Sequence, residues 1–357
     1  MKFKLLPLTA AATLLGGGAA HAQTVTVYGV LDAAVEHLSN VGADGHSDNR
    51  MPNLAGSVPS RLGLRGSEDL GGGLSAVFTI EQGFGIDSGS LNQGGRTWGR
   101  QAFVGLKGLW GQASLGRQYS MLFYSLLDAD TLGPNLFGSG SLDNHLPNDR
   151  LDNALAYKGS FGGLTVGATY SLGRDTVSAS SPSGTGCAGE DGTAACREWS
   201  VLLKYDTAAW GVAAANDQFH GGTGSWAAAG LTSADKTDRR TTLNGWLKFN
   251  DLKLSAGVID RRNEGSATTP RSKLWFLGGS YAVTPAVTVD GEFFQLTYQD
   301  SDNGARLFAL RGSYALSKRT AVYATAGHIA NDGTLADRKS TRLNSSHIPL
   351  SRMPSSA

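Results

Sequence analysis

Apolar and polar residues alternate along most of this chain with a period of two. Leu164, Val166, Ala168, Tyr170 and Leu172 are apolar, and Thr165, Gly167, Thr169 and Ser171 lie between them. Leu243, Gly245, Leu247 and Phe249 alternate with Thr242, Asn244, Trp246 and Lys248. Leu252, Leu254, Ala256 and Val258 follow at once, spaced by Lys253, Ser255 and Gly257. Successive side chains of a strand point to opposite faces, so each run presents one apolar and one polar face. Fifteen strands are predicted: about 24–36, 60–66, 74–82, 99–107, 111–118, 150–158, 164–172, 199–205, 210–217, 241–249, 252–262, 272–282, 286–298, 305–316 and 320–330. In 286–298 the apolar phase flips at Phe293-Phe294, which predicts a bulge. The 320–330 run divides poorly between two faces. No helical periodicity of useful length is present.

The connections alternate too. Glu68 to Gly73, Gly108 to Gly111, Gly159 to Gly163, Asp206 to Ala209, Asn250-Asp251, Val283 to Pro285 and Ser317 to Arg319 are short. Ser39 to Val58, Gly83 to Gly99, Arg174 to Glu198, Gln218 to Arg240, Asn263 to Arg271 and Asp300 to Gly304 are longer and polar. Short connections at one end and long ones at the other are the layout of an all-β transmembrane antiparallel barrel. Tyr119 to Asp149 differs from the rest. It is a long connection carrying Leu122, Phe123, Tyr124, Leu126, Leu127, Leu136 and Phe137, which predicts a packed and functional loop.

Composition sharpens this picture. A chain of 357 residues would ordinarily suggest two soluble domains. Here 49 glycines and only 17% charged residues argue against an ordinary cytosolic enzyme, and 40% hydrophobic residues are too few for a helical membrane protein. Aromatic side chains and only 10 prolines argue against disorder. A net charge of +1 gives no reason to expect nucleic acid as a partner.

The N-terminus has the form of a cleaved signal peptide. Lys2 and Lys4 precede an apolar stretch from Leu5 to Leu15, and Ala20-His21-Ala22 fits a small-x-small cleavage site. The expected organisation is a signal peptide over 1–22, a barrel over 23–336 and a non-native tail over 337–357. Cys187 and Cys196, close together in an exported chain, are expected to form a loop disulfide rather than a metal site.

If the barrel stands in a membrane, parity assigns its charges. A charge facing lipid is costly, whereas the lumen tolerates it. With Leu62 and Leu64 toward lipid, Arg61 and Arg65 face inward. With Leu151, Leu155 and Tyr157 toward lipid, Arg150, Asp152 and Lys158 face inward. Arg100 is inside if Phe103 meets lipid.

Several motifs resemble the general porins of Gram-negative outer membranes, of the β-proteobacterial type. They are Val25-Thr26-Val27-Tyr28-Gly29-Val30-Leu31-Asp32, the run Ser60-Arg61-Leu62-Gly63-Leu64-Arg65-Gly66-Ser67-Glu68-Asp69-Leu70-Gly71, the run Gly99-Arg100-Gln101-Ala102-Phe103-Val104-Gly105-Leu106, and Gly116-Arg117-Gln118-Tyr119. The resemblance covers Gln23 to about Ala336. It implies a 16-stranded barrel, a homotrimer, a water-filled pore and a third extracellular loop folded into the barrel, here Tyr119 to Asp149. It also implies wall cations opposed to loop carboxylates. The matching basic set is Arg61, Arg65, Arg100 and Lys158, and the acids named for the loop are Asp128 and Asp130. Asn135, after Pro134, stands where relatives often carry an acid, which weakens the acidic side. Outer-membrane lipid, lipopolysaccharide and the barrel-assembly machinery are the surroundings such a protein meets.

Other motifs carry no chemistry. Gly184-x-Gly186-x-x-Gly189 opens no helix after a strand, and Ile86-Asp87-Ser88-Gly89 lacks the flanks of a nucleophile. His37, His46, His145, His220, His328 and His347 have no metal-ligand spacing. No catalytic residue, metal or cofactor is expected. From about Asp337 the alternation stops, and Arg338 to His347 reads like translated sequencing-adapter read-through. About 15 strands are therefore expected, with the last one missing and the edges of the first and fifteenth unpaired. The expected function is passive diffusion of ions and small hydrophilic solutes. A substrate-selective channel, a barrel enzyme, and an adhesin or anchor are the alternatives.

Overall fold

The computed structural model of the protein describes residues 24–41, 45–54, 57–133, 135, 137–143, 145, 149–173, 194–222, 230–268 and 270–333, and the backbone of 340–346 and 351–352. The segment expected to be a signal peptide lies outside these residues. The strands are β1 (Thr24–Leu31), β2 (Val35–Val41), β3 (His46–Arg50), β4 (Arg61–Gly71), β5 (Leu74–Gly83), β6 (Gln101–Gly108), β7 (Gly111–Tyr119), β8 (Arg150–Phe161), β9 (Leu164–Ser171), β10 (Glu198–Asp206), β11 (Trp210–His220), β12 (Thr237–Phe249), β13 (Leu252–Asn263), β14 (Arg271–Thr284), β15 (Val287–Tyr298), β16 (Gly304–Ala315), β17 (Ala321–Asp332), β18 (Ser340–Ser346) and β19 (Ser351–Arg352). Every pairing is antiparallel, and from β4 to β18 each strand pairs with the next in sequence. β1 pairs with β4, while β2 pairs with the loop strand β3.

β1 and β2 run as one wall strand broken at 32–34. The break follows from Asp32, which is fully buried. Its carboxylate accepts the N–H of Val58 at 2.8 Å and the hydroxyl of Tyr323 at 2.7 Å, tying the first strand to the loop before β4 and to β17.

The last full-length strand is missing, as expected, but the expectation that the edges beside it stay unpaired is corrected. The barrel is not closed by a full-length seam, but its edges are not wholly bare. β18 pairs with β17 over seven residues and with β2 over five, and β19 adds two pairs to β1. The neighbouring seam between β16 and β17 has twelve.

The two faces of the wall differ as the alternation predicts. Val104, Leu115, Leu203, Leu243 and Leu277 are all more than half exposed on the outside. Ser114, Thr169, Ser200, Thr242, Asn244 and Ser255 are buried on the inside. Three phases differ from expectation. There is no bulge at Phe293-Phe294, where β15 runs in continuous register with both neighbours. Phe294 is fully buried because a loop covers the inner face there, so both phases carry apolar residues. Leu151 is buried rather than lipid-facing, because the ladder slips between Gly116 and Gln118 and Asn153 adopts φ 48°. Phe103 is on the inner phase, and Val104 and Leu106 face outward.

Candidate functional site

The loop between β7 and β8 lies against the inner face. It opens with the helix α1 (Met121–Leu126), capped by the Ser120 hydroxyl, which accepts from the Phe123 N–H. Its first N–H groups are fixed by the wall, since Ser200 Oγ accepts from Met121 at 2.8 Å and Leu122 at 3.2 Å. Leu122, Leu126 and Ala129 pack on Ile259, Leu274, Phe276, Phe294, Leu296, Ala305 and Leu307 of β13 to β16. Leu132 and Phe137 pack near Ala309. This is an apolar inner wall that exists only because a loop covers it.

Two wall glycines let the loop approach. A Cβ on Gly167 would meet Met121 Sδ at 2.4 Å, and one on Gly278 would meet Thr131 Oγ1 at 2.4 Å. The loop tip is also held by hydrogen bonds. Glu292 of β15 accepts the N–H of Thr131 at 3.2 Å and of Leu132 at 2.8 Å.

Arg61, Arg65 and Arg100 come together on one side. Arg100 lies just before β6 and is buried, and its Nε donates to Glu81 Oε1 at 2.6 Å while a terminal nitrogen donates to Tyr119 Oη at 2.7 Å. Arg61 Nε stands 3.7 Å from Glu81 Oε2, and Tyr28 Oη donates to the same oxygen at 2.9 Å. Arg65 lies over the Tyr28 ring, 5.6 Å from its centroid. Glu81 is the acid that sequence reasoning missed. Its signal was available: it is opposite Gly63, between the inward Arg61 and Arg65.

Lys158 belongs to a second group. Its Nζ sits 3.8 Å from the Tyr124 centroid. Tyr124 meets Tyr119 edge to face at 6.0 Å, so an aromatic contact links the two basic groups. Asp128 pairs with Lys204, and its backbone carbonyl accepts from Lys253 Nζ at 2.6 Å. Asp128 therefore faces lysines of β10 and β13 that the sequence reading did not name. Asp130 faces no basic group in this way. It is 3% exposed and accepts the Ser139 N–H at 2.9 Å. Burial pushes its carboxyl above the usual range. Asn135 is structural as well, donating to the Ser57 and Leu132 carbonyls at 2.8 Å each and accepting the Phe137 N–H. Of the other charges assigned inward, Asp152 is buried between Arg96 at 2.7 Å and Arg117 at 2.5 Å, and Arg150 covers the Tyr119 ring.

The far end of the loop is fastened by buried ion pairs. Arg240 of β12, 1% exposed, donates to Asp143 at 2.8 Å and Asp238 at 3.3 Å, and Arg261 also holds Asp238. His145 Nδ1 lies 2.8 Å from Asp149 Oδ2. Burial alone would raise the Asp143 carboxyl, but the Arg240 guanidinium outweighs it and holds it below the ordinary range. Burial would likewise lower His145, but the Asp149 carboxylate outweighs it and holds the imidazole above its usual value. Cys196 is buried and is not a free thiol; Cys187, its expected partner, lies outside the described residues.

An antiparallel wall that is apolar outside, polar and charged inside, and crossed by a packed loop is a membrane β-barrel of the outer-membrane type. The chain belongs to the Gram-negative porin family, whose match spans residues 8–334. It is 30% identical over 380 residues to an outer membrane porin of Bordetella pertussis, covering 94% of this chain and 96% of that one. Its fold is similar to an anion-selective porin from Comamonas acidovorans, with a TM-score of 0.71 at 22% identity over 93% of this chain and all of that one. It is also similar to the trimer form of an in-vitro folded outer membrane protein of Vibrio cholerae, with a TM-score of 0.66 at 16% identity over 93% of this chain and all of that one. The protein is an outer-membrane porin of a Gram-negative bacterium.

Proposed function

We propose that the protein is a passive channel for ions and small hydrophilic solutes, narrowed by the 119–149 loop. The carrying observation is the loop itself, packed on the inner face by Leu122, Leu126 and Ala129 and bringing Tyr119, Tyr124 and Asp128 to the basic wall residues. Opposed charges across such a passage create a transverse field that orients dipolar solutes and sets ion preference. Arg61, Arg65, Arg100, Lys158, Lys204 and Lys253 outnumber Glu81, Asp128 and Asp206 here, which favours anions. The anion selectivity of the Comamonas porin agrees with that sign.

The trimer form of the Vibrio protein supports a homotrimer for this chain. No catalytic role is assigned to any side chain. The first 22 residues act as a cleaved export signal, and Cys187 and Cys196 pair in the loop before β10. Reconstitution into planar bilayers tests the channel. Conductance steps of stable size are expected, and membranes that stay silent with inserted protein would favour an enzyme or an anchor instead.

A further inference from the structure

Trp246 breaks the pattern of the inner wall. It shares the inward phase of β12 with the buried Thr242 and Asn244, while Leu243 and Leu247 point outward. Bulky apolar residues elsewhere on the inner face, such as Ile259, Phe276 and Phe294, are covered by the β7–β8 loop. Trp246 is not. Among the described residues it joins none of the buried apolar clusters, and it stays only half-buried. The indole lies against β11. A Cβ on Gly211, its partner in the ladder, would meet Trp246 Nε1 at 2.4 Å, so a glycine makes the room. Nε1 donates to Asp206 Oδ1 at 3.2 Å, which fixes the orientation of the ring.

The surroundings of the indole are basic. Lys253 of β13 sets its Nζ 5.2 Å from the ring centroid. Lys248 follows Trp246 on the same face of β12, is exposed, and stands directly opposite Lys253 in the ladder. Like charges in that position destabilise a sheet, so the wall itself has no use for the pair. Nearby acids do not neutralise it. Asp128 and Asp206 both pair with Lys204. Among the described residues, no carboxylate lies within ion-pair distance of Lys248 or Lys253. Lys253 gives one donor to the Asp128 carbonyl, and an ammonium has three. All of this stands beside the short turn between β12 and β13, away from Arg61 and Arg100.

We propose that Trp246, Lys248 and Lys253 form a subsite for aromatic carboxylates at the short-turn end of the lumen. The solute's ring packs on the indole, and its carboxylate accepts from the two ammonium groups. The ligand is an anion because the lysines lack an acid. It is aromatic because the indole, uncovered in an aqueous lumen, gains most from a second ring. The inference rests on the proposed channel, which brings solute to this face.

The test uses the purified full chain in detergent and para-fluorobenzoate, with binding read by fluorine NMR. Fluoroacetate, which has the charge without the ring, and para-fluorobenzamide, which has the ring without the charge, are the comparators. Both should bind the parent more weakly than para-fluorobenzoate. Trp246→Leu is expected to weaken para-fluorobenzoate binding at least about fivefold, the scale of one lost ring contact. Trp246→Phe, which keeps a ring and loses the Asp206 hydrogen bond, should retain most of the affinity. Lys248→Gln, at an exposed position, should weaken binding about tenfold, the scale of one lost charge-assisted hydrogen bond. Equal affinity of parent, Trp246→Leu and Lys248→Gln would overturn the site. Loss in Lys248→Gln alone, or equal binding of fluoroacetate and para-fluorobenzoate, would overturn the aromatic assignment. Planar bilayers separate this inference from the channel. Silent membranes with para-fluorobenzoate still bound would count against the channel and leave the subsite standing, whereas stable conductance steps with unaltered binding in the variants would overturn the subsite alone.

Discussion

Arg240 and Arg61 carry the same charge in different surroundings. The Arg240 side chain is 1% exposed between Asp143 and Asp238, whereas that of Arg61 is 26% exposed beside Glu81. Removing one member of a buried ion pair strands its partner, at about 3–5 kcal/mol. Arg240→Ala is therefore expected to destabilise the assembled protein by about that amount, read as a lower unfolding temperature in detergent. Arg61→Ala should change stability little, because Glu81 keeps Arg100. The loop anchor should also depend on pH. Asp143, held low in the folded protein, contributes above the ordinary aspartate value of about 3.9 and loses that contribution as pH falls through its depressed value. His145, held high, contributes fully below the ordinary histidine value of about 6.5 and loses that contribution as pH rises through its raised value. Protection of the loop backbone against hydrogen exchange, taken relative to unstructured peptide at the same pH, should be greatest between those limits. Protection that does not vary from pH 3 to 9 would contradict the assignment.

The β7–β8 loop and the wall beneath it define each other. The inner faces of β13 to β16 are apolar at Ile259, Leu274, Phe276, Phe294 and Leu307, positions that an uncovered aqueous wall would fill with polar side chains. Alternation revealed the strands because lipid and water impose opposite demands on opposite faces. It failed at Phe293-Phe294 for the same reason, since a covered inner face imposes the same demand as lipid. It also failed at Leu151, where a positive φ at the neighbouring Asn153 accompanies a change of phase that no residue pattern announces. Glu81 was legible from parity, whereas Lys204 and Lys253 acquire meaning only once the loop places Asp128 beside them. Leu126→Ala and Phe276→Ala each remove buried contact between loop and wall, a loss of about 2–5 kcal/mol. Both should widen the distribution of single-channel conductance toward larger steps. A distribution unchanged in both would show that the loop is held by its polar anchors alone.

The ends of the wall meet in a seam split between two short pairings. Five pairs to β2 and two to β1 make this seam, against the eleven or twelve that join each neighbouring pair from β11 to β17, and no single strand spans it. Backbone groups left unpaired in a bilayer cost several kcal/mol each, so this seam should open first on heating. Replacing 340–346 by a longer segment of alternating apolar and polar residues should raise the temperature at which the barrel loses its compact electrophoretic form. An unchanged temperature would show that another seam limits stability. The same wall makes the channel, and the proposed anion preference rests on its inner charge. The most direct test is the reversal potential across a planar bilayer under a salt gradient. The parent is predicted to lie on the anion side, and R61A/R100A to shift toward cations. A cation-preferring parent, or a variant with the parent's potential, would contradict an anion preference set by these arginines.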